Sequence, residues 1–145
     1  MDDTTTQWPL GRLLSAAARA VEREWDERLR AIGLPHAALI VVDILVRTGP
    51  SGAESLARTA RVQPQTMSRT LERLERDGLV ERTPHPADRR RRVVQVTDAG
   101  RASWETARHI EREVLPEDPA LRAALQGVLD RHLSLIHISE PTRPY

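Results

Sequence analysis

The sequence predicts a mainly α-helical chain with one small β-hairpin, and three observations lead there. Aromatic residues are scarce, with no Phe among 145 residues, so a core has to be built from Leu, Val, Ile and Ala, which suits packed helices. Apolar residues recur every three or four positions along most of the chain, the period of a helix with one buried face. Two short β-prone runs, Leu79 to Arg82 and Val93 to Val96, interrupt this pattern and flank a Pro-containing loop with four consecutive arginines, Arg89 to Arg92. A tight helix pair followed by such a hairpin is a winged helix-turn-helix, here with further helices on both sides.

The elements follow in order. Leu10, Leu14, Ala17, Val21, Trp25 and Leu29 mark a first helix from about Pro9 to Ala31, ended by Gly33, Leu34 and Pro35. Pro35 suits the first turn of a second helix. Ala38 to Val46 is apolar on nearly every side, so this helix is central, and Gly49 with Pro50 stops it. Asp43 interrupts the run LIVVDILV and needs a partner, because an unpaired buried charge is costly. Ser51 and Glu54 form a capping-box pattern for a short third helix with Ala53, Leu56, Ala57 and Ala60 on its apolar side. After the turn Arg61, Val62 and Gln63, Pro64 opens a fourth helix to Asp77, with Met67, Leu71 and Leu74 on one face and Gln65, Thr66, Ser68, Arg69, Glu72, Arg73 and Arg76 on the other.

Gly78 offers a left-handed stop to that helix, and the hairpin follows with the loop Thr83 to Arg92 projecting. Thr97 stands where an N-cap is wanted for a fifth helix that carries Ala102, Trp104, Ala107, Ile110 and Val114 to Leu115. Pro116 and Pro119 break it, and a sixth helix begins near Pro119 with Leu121, Leu125, Val128, Leu129 and Leu133 along one side. The apolar faces of helices one, five and six exceed what a small winged-helix core requires, which implies a homodimer held by these terminal helices.

Composition narrows the function. The absence of Cys excludes disulfides, thiolate metal sites and thiol redox sensing. No apolar run approaches a membrane span, and the start MDDTTTQ lacks the regions of a signal peptide, so a cytoplasmic protein with no membrane partner is expected. There is no Gly-rich phosphate loop, and no Ser or His sits in a recognisable catalytic constellation, so neither an enzyme nor a cofactor is expected. Net charge is only +1, but its distribution is uneven: twelve Arg face seven acids from Arg47 to Arg101, a net +5, with −2 on each side. A basic middle carrying a helix-turn-helix and an arginine-tipped wing points to double-stranded DNA.

With these elements placed, Leu71 to Gly100 resembles the MarR family of bacterial transcriptional regulators. The run LERLERDGLVER, then Pro84, Pro86, Asp88 and Arg90 in a P-x-P-x-D-x-R pattern, then Val96, Thr97 and Gly100, matches that family's recognition helix and wing. The order of six helices and a hairpin fits from about residue 9 to 132. The resemblance implies a single domain over 1–133, with a DNA-binding region at about 35–100 and dimerisation helices at about 9–31 and 98–133. It also implies a homodimer whose recognition helices enter successive major grooves of a pseudo-palindromic operator while the wings reach flanking minor grooves.

Gln65, Thr66, Ser68 and Arg69 have the length and chemistry to read base edges from the first turns of the recognition helix. Arg73 and Arg76 suit phosphate contacts or pairing with neighbouring acids. In the wing, the resemblance gives Asp88 the role of orienting Arg90 into the minor groove, with Arg89, Arg91 and Arg92 adding phosphate contacts. It further implies a repressor released by a small-molecule effector bound near helices one, two and five, for which His36 and Asp43 are the candidates, while Trp8 and Trp104 are expected to pack. Two other uses of the scaffold are a protein-interaction module and a metal-responsive regulator, the latter through His109 with Glu105 and Glu113; no metal site is assigned. The ending SLIHISEPTRPY, residues 134–145, resembles translated sequencing-adapter sequence and is expected to be a non-native tail.

Overall fold

The computed structural model describes residues 3–139, with side chains for residues 4–133. The six helices are α1 (Leu10–Ala31), α2 (His36–Thr48), α3 (Ala53–Ala60), α4 (Pro64–Arg76), α5 (Asp98–Val114) and α6 (Pro119–Ser139), and the hairpin strands are β1 (Val80–Pro84) and β2 (Arg92–Val96). A short 3-10 turn, Asp3–Gln7, precedes α1 and is not announced by any pattern in the sequence. The bounds of α1 to α5 fall within a residue or two of those expected, and each strand reaches slightly further toward the loop. Among the described residues, no single helix is long and apolar enough to cross a membrane.

The chain divides into two compact units, one ending at Val114 and a smaller one beginning at Leu115. In the first, α2 is the central element. Ala38, Leu39, Val41, Val42 and Leu45 are all buried, as its nearly continuous apolar sequence requires, and Leu29 of α1 and Ala107 of α5 join the same core. Met67, Leu71 and Leu74 anchor α4 in it, with Val80 and Val94 from the hairpin beside them. Each such aliphatic side chain contributes about 1.5–3 kcal/mol by leaving water, which fixes the rotation of α4 and keeps its polar face outward.

The hairpin is antiparallel, pairing Val80 with Val96 and Pro84 with Arg92. Gly78 ends α4 with φ 73°, a left-handed conformation that glycine adopts without Cβ strain. Thr97 caps α5 as expected: its Oγ1 accepts the Gly100 N–H at 3.0 Å and donates to the Gly78 carbonyl at 2.6 Å. One hydroxyl thus ties the end of α4 to the start of α5.

Ser51 is a correction. The Ser51–Glu54 pattern implies a capping box, yet Gly52 occupies the N-cap position of α3 and no side chain caps it. Ser51 instead pairs with Val94 of β2, donating its N–H to the Val94 carbonyl at 3.0 Å and accepting the Val94 N–H at 2.8 Å. The lead-in to α3 therefore adds a single bridge to the free edge of β2. At the other end of α3, Arg61 takes a left-handed conformation with φ 56°, making the sharp turn into α4.

In the smaller unit, Asp118 caps α6 by accepting the N–H groups of Ala120 and Leu121 at 3.0 and 3.1 Å, with Pro119 in the first turn. Leu121, Leu129 and Leu133 lie exposed along α6, while Leu125 and Val128 are partly covered. The helix continues to Ser139, past the expected break after Leu133. The remainder of the proposed non-native tail, residues 140–145, lies outside the described residues.

Candidate nucleic-acid interface and adjoining cavity

The recognition-helix candidates Gln65, Thr66, Ser68, Arg69 and Arg73 are all exposed on α4, opposite its buried Met67, Leu71 and Leu74. Pro64 at the start of the helix leaves the preceding turn short, so Gln65 and Thr66 stand at its very tip. Arg69 has no acidic partner among the described residues, whereas Arg73 sits 3.9 Å from Asp77 on the next turn. Arg82 of β1 reaches Glu75 of α4 at 3.3 Å and braces the hairpin against the recognition helix.

At the wing tip, Asp88, Arg89, Arg90, Arg91 and Arg92 are exposed. The turn is held by its own backbone: Arg91 N–H donates to the Asp88 carbonyl at 3.0 Å, and His85 N–H to the Arg91 carbonyl at 2.8 Å. Asp88 Oδ1 accepts the backbone N–H of Arg90 at 3.1 Å. The contact is therefore with the Arg90 main chain; the carboxylate shapes the turn that carries Arg90 and leaves the guanidinium unengaged. His85 has a matching role that the sequence did not reveal, its Nδ1 accepting the Ala87 N–H at 3.0 Å.

A separate cavity of about 360 Å³ lies among α1, α2, α3 and α5. The two effector candidates, His36 and Asp43, both line it, together with Trp25, Ile40, Trp104 and Arg108. Asp43 finds the partners its position demanded, taking Arg47 Nε at 2.9 Å on Oδ2 and the Trp104 indole N–H at 2.9 Å on Oδ1. Trp104, expected only to pack, is thus also a polar element of the wall, and Arg108 stacks over its ring with the guanidinium 4.9 Å from the centroid. Trp25 meets the edge of His36 with ring centroids 5.1 Å apart. Its indole Nε1 is buried without a hydrogen-bond partner among the described residues. Nothing in the sequence links Trp25 or Trp104 to Asp43; only the packing of α1 and α5 on α2 brings them together.

The His109 cluster is resolved differently from a metal site. His109 Nε2 is 2.8 Å from Glu113, which also pairs with Arg28 of α1, so Glu113 is engaged in joining two helices. The Arg28 hydrogen bond, aided by its charge and by His109, holds the Glu113 carboxyl below its ordinary value.

Comparison with known proteins agrees with this architecture. The MarR family profile matches residues 34–91, which span α2 through most of the wing. An HTH-type transcriptional regulator of Mycobacterium tuberculosis is 30% identical over 128 residues, covering 85% of this chain and 90% of the relative. Wild-type MarR from E. coli in its apo form superposes with a TM-score of 0.67 at 26% identity, covering 87% of this chain and 98% of that one. A probable transcriptional regulator from Pseudomonas aeruginosa superposes with a TM-score of 0.64 at 28% identity, covering 85% and 98%. The exposed polar face of α4, the arginine-tipped wing and this likeness over most of its length agree: the chain belongs to the MarR family and is a winged helix-turn-helix, DNA-binding transcriptional regulator.

Proposed function

We propose that the chain acts in the cytoplasm as a homodimeric repressor that binds a pseudo-palindromic operator and releases it when a small molecule occupies the cavity beside α2. The observation that carries the DNA-binding part is the division of α4 into a buried apolar face and an exposed face of Gln65, Thr66, Ser68 and Arg69, beside a wing whose arginines are exposed. Arg69 suits guanine O6 and N7, and Gln65 suits adenine N6 and N7. Arg73 and the wing residues Arg89, Arg91 and Arg92 serve the phosphate backbone, and Arg90, placed by Asp88, enters the minor groove.

Dimerisation is supported by apolar side chains that a lone chain leaves in water. Leu10, Leu13 and Leu14 on α1 are exposed, as are Leu129 and Leu133 on α6. A two-fold axis would cover both sets and place two recognition helices about one helical turn of DNA apart, roughly 10 base pairs centre to centre.

The effector site is supported by the cavity lined by His36 and Asp43, which has aromatic walls and a buried indole donor with no partner among the described residues. Of the elements that line it, α1 and α5 are proposed dimerisation helices packed on the central α2, so a ligand favouring one packing of them would shift the spacing of the two readers. Selection of genomic fragments by the purified protein tests the reading. A two-fold symmetric motif bound with steep salt dependence is expected, and a screen of small aromatic compounds should find ones that release it. Absence of any enriched sequence would refute the operator-binding reading.

A further inference from the structure

Between the first helix of the helix-turn-helix and the base of the wing lies a second cavity, a polar cleft of about 470 Å³. One wall is the α3 segment that carries Arg58; the other is the return of the wing, with His85, Arg91 and Arg92. Glu54 also lines the cleft, yet none of the three guanidinium groups is paired with a carboxylate among the described residues. Arg73 and Arg82 nearby both have acidic partners. Three uncompensated cations around one concavity repel one another and focus a positive potential there, an arrangement suited to an anion.

The cleft is also built to hold its shape. The two Ser51–Val94 hydrogen bonds, at 3.0 and 2.8 Å, fasten its α3 side to β2, and the His85 N–H to Arg91 carbonyl bond at 2.8 Å closes the wing base. Because His85 Nδ1 accepts the Ala87 N–H, the ring proton of the neutral imidazole sits on Nε2, leaving that atom as a donor.

We propose that this cleft is a phosphate site, in which Arg58 and His85 join Arg91 and Arg92 in gripping the DNA strand that separates the two grooves. The inference rests on the DNA-binding reading above. With α4 in the major groove and the wing in the adjacent minor groove, one phosphodiester strand has to pass between them, and its charge requires neutralisation where the protein straddles it. The contact is sequence-independent: it anchors the reader and does not specify the operator.

Anisotropy titrations of Arg58→Ala, Arg58→Lys and His85→Gln with duplex DNA of mixed sequence over a range of salt concentrations test this. Arg58 is exposed on α3, so its truncation leaves the buried Leu56 and Ala57 untouched, and circular dichroism confirms folding. Loss of one phosphate contact should lower affinity by close to tenfold near 0.1 M salt and reduce the salt slope by about 1 for each subunit. Arg58→Lys should restore most of both, since a phosphate responds to a point charge, and His85→Gln, which keeps a donor, should lose less than Arg58→Ala. Folded Arg58→Ala with wild-type affinity and slope would overturn the proposal while leaving the DNA-binding reading intact; failure of the wild type to bind any duplex would refute both. Inorganic phosphate at fixed ionic strength separates the other source of the same chemistry. If it raises the wild-type melting temperature but not that of Arg58→Ala, while DNA binding is the same in both, the cleft holds a free oxyanion and the strand-gripping role is wrong.

Discussion

The indole N–H of Trp104 donates to Oδ1 of Asp43 at 2.9 Å, joining α5 to the central helix α2 beside the cavity. With Arg47 on the other carboxylate oxygen, Asp43 is satisfied on both sides although it interrupts an otherwise apolar run. The same pair that stabilises the packing of α5 on α2 therefore forms part of the proposed effector wall.

Breaking this pair has unequal consequences. Trp104→Phe removes one donor and leaves Asp43 with Arg47, a loss of about 1 kcal/mol. Asp43→Ala strands the indole N–H and frees Arg47, a loss of about 1–3 kcal/mol. Denaturant unfolding of both single variants and the double should give a coupling of about 0.5 kcal/mol or more. Strict additivity would show that the hydrogen bond contributes nothing to the packing of α5.

Gly100 is predicted to tolerate no side chain. A Cβ there would lie 2.0 Å from the Leu79 carbonyl oxygen and 2.7 Å from Val96 Cγ2. The carbonyl cannot yield easily, because it accepts the Thr97 N–H at 3.1 Å at the junction of α4, wing and α5. Overpacking in a core costs about 1–3 kcal/mol, and a clash with fixed backbone belongs at or above the upper end. Gly100→Ala should lower the midpoint of denaturant unfolding accordingly, and a variant as stable as the wild type would contradict the close approach.

These two sites show which parts of the structure the sequence discloses. Gly78 and Thr97 are legible because a stop and a cap are local and leave residue types at fixed spacing, whereas Gly100 stands in the sequence only as part of the family-like T-x-x-G run and its close approach to Leu79 comes from the packing of α5 on the hairpin. The polar face of α4 was legible because Met67, Leu71 and Leu74 fix its rotation. Ser51 was misread because a Ser three residues before a Glu satisfies a capping box on paper, whereas its pairing with Val94 spans distant sequence and leaves no local trace. The Asp43–Trp104 bond, the placement of Trp25 beside His36 and the convergence of Arg58 with the wing base were hidden for the same reason. Each is a product of tertiary packing between helices whose individual patterns report only that one face is buried.

Acid should loosen the contact between α1 and α5. The Glu113 carboxyl is held below its ordinary value of 4.5, chiefly by the Arg28 hydrogen bond and then by that residue's charge and by His109. A carboxyl whose folded pKa is depressed stabilises the fold above its unfolded pKa, and this contribution disappears as the pH falls through the folded value. Melting temperature measured from neutral pH downward should therefore fall less steeply for Glu113→Gln than for the wild type once the pH drops below about 4.5. The group is exposed, so the difference should be small and should shrink further in high salt. Identical acid limbs would show that the pair adds no pH dependence.

Arg90 should be the wing residue on which operator binding depends most. It is exposed at the tip, has no acidic partner for its side chain among the described residues, and rides on a turn that Asp88 closes through the Arg90 backbone N–H at 3.1 Å. A guanidinium so placed is free to enter a narrow minor groove, where the negative potential is strongest. Arg90→Ala should weaken operator binding ~10- to 100-fold, about 1.4–2.7 kcal/mol, and leave the dimer intact by sedimentation. Arg90→Lys should fall between, because an ammonium is more costly to desolvate in the groove than a guanidinium. Asp88→Ala should act more weakly and in the same direction, since it loosens the turn without removing the charge proposed to enter the groove. Arg89→Ala, which removes a charge of the same sign one residue away, supplies the control: it should weaken operator and mixed-sequence DNA alike, whereas Arg90→Ala should cost more on the operator. Equal losses for the two variants on both DNAs would assign Arg90 to the phosphate backbone and remove the minor groove from its role.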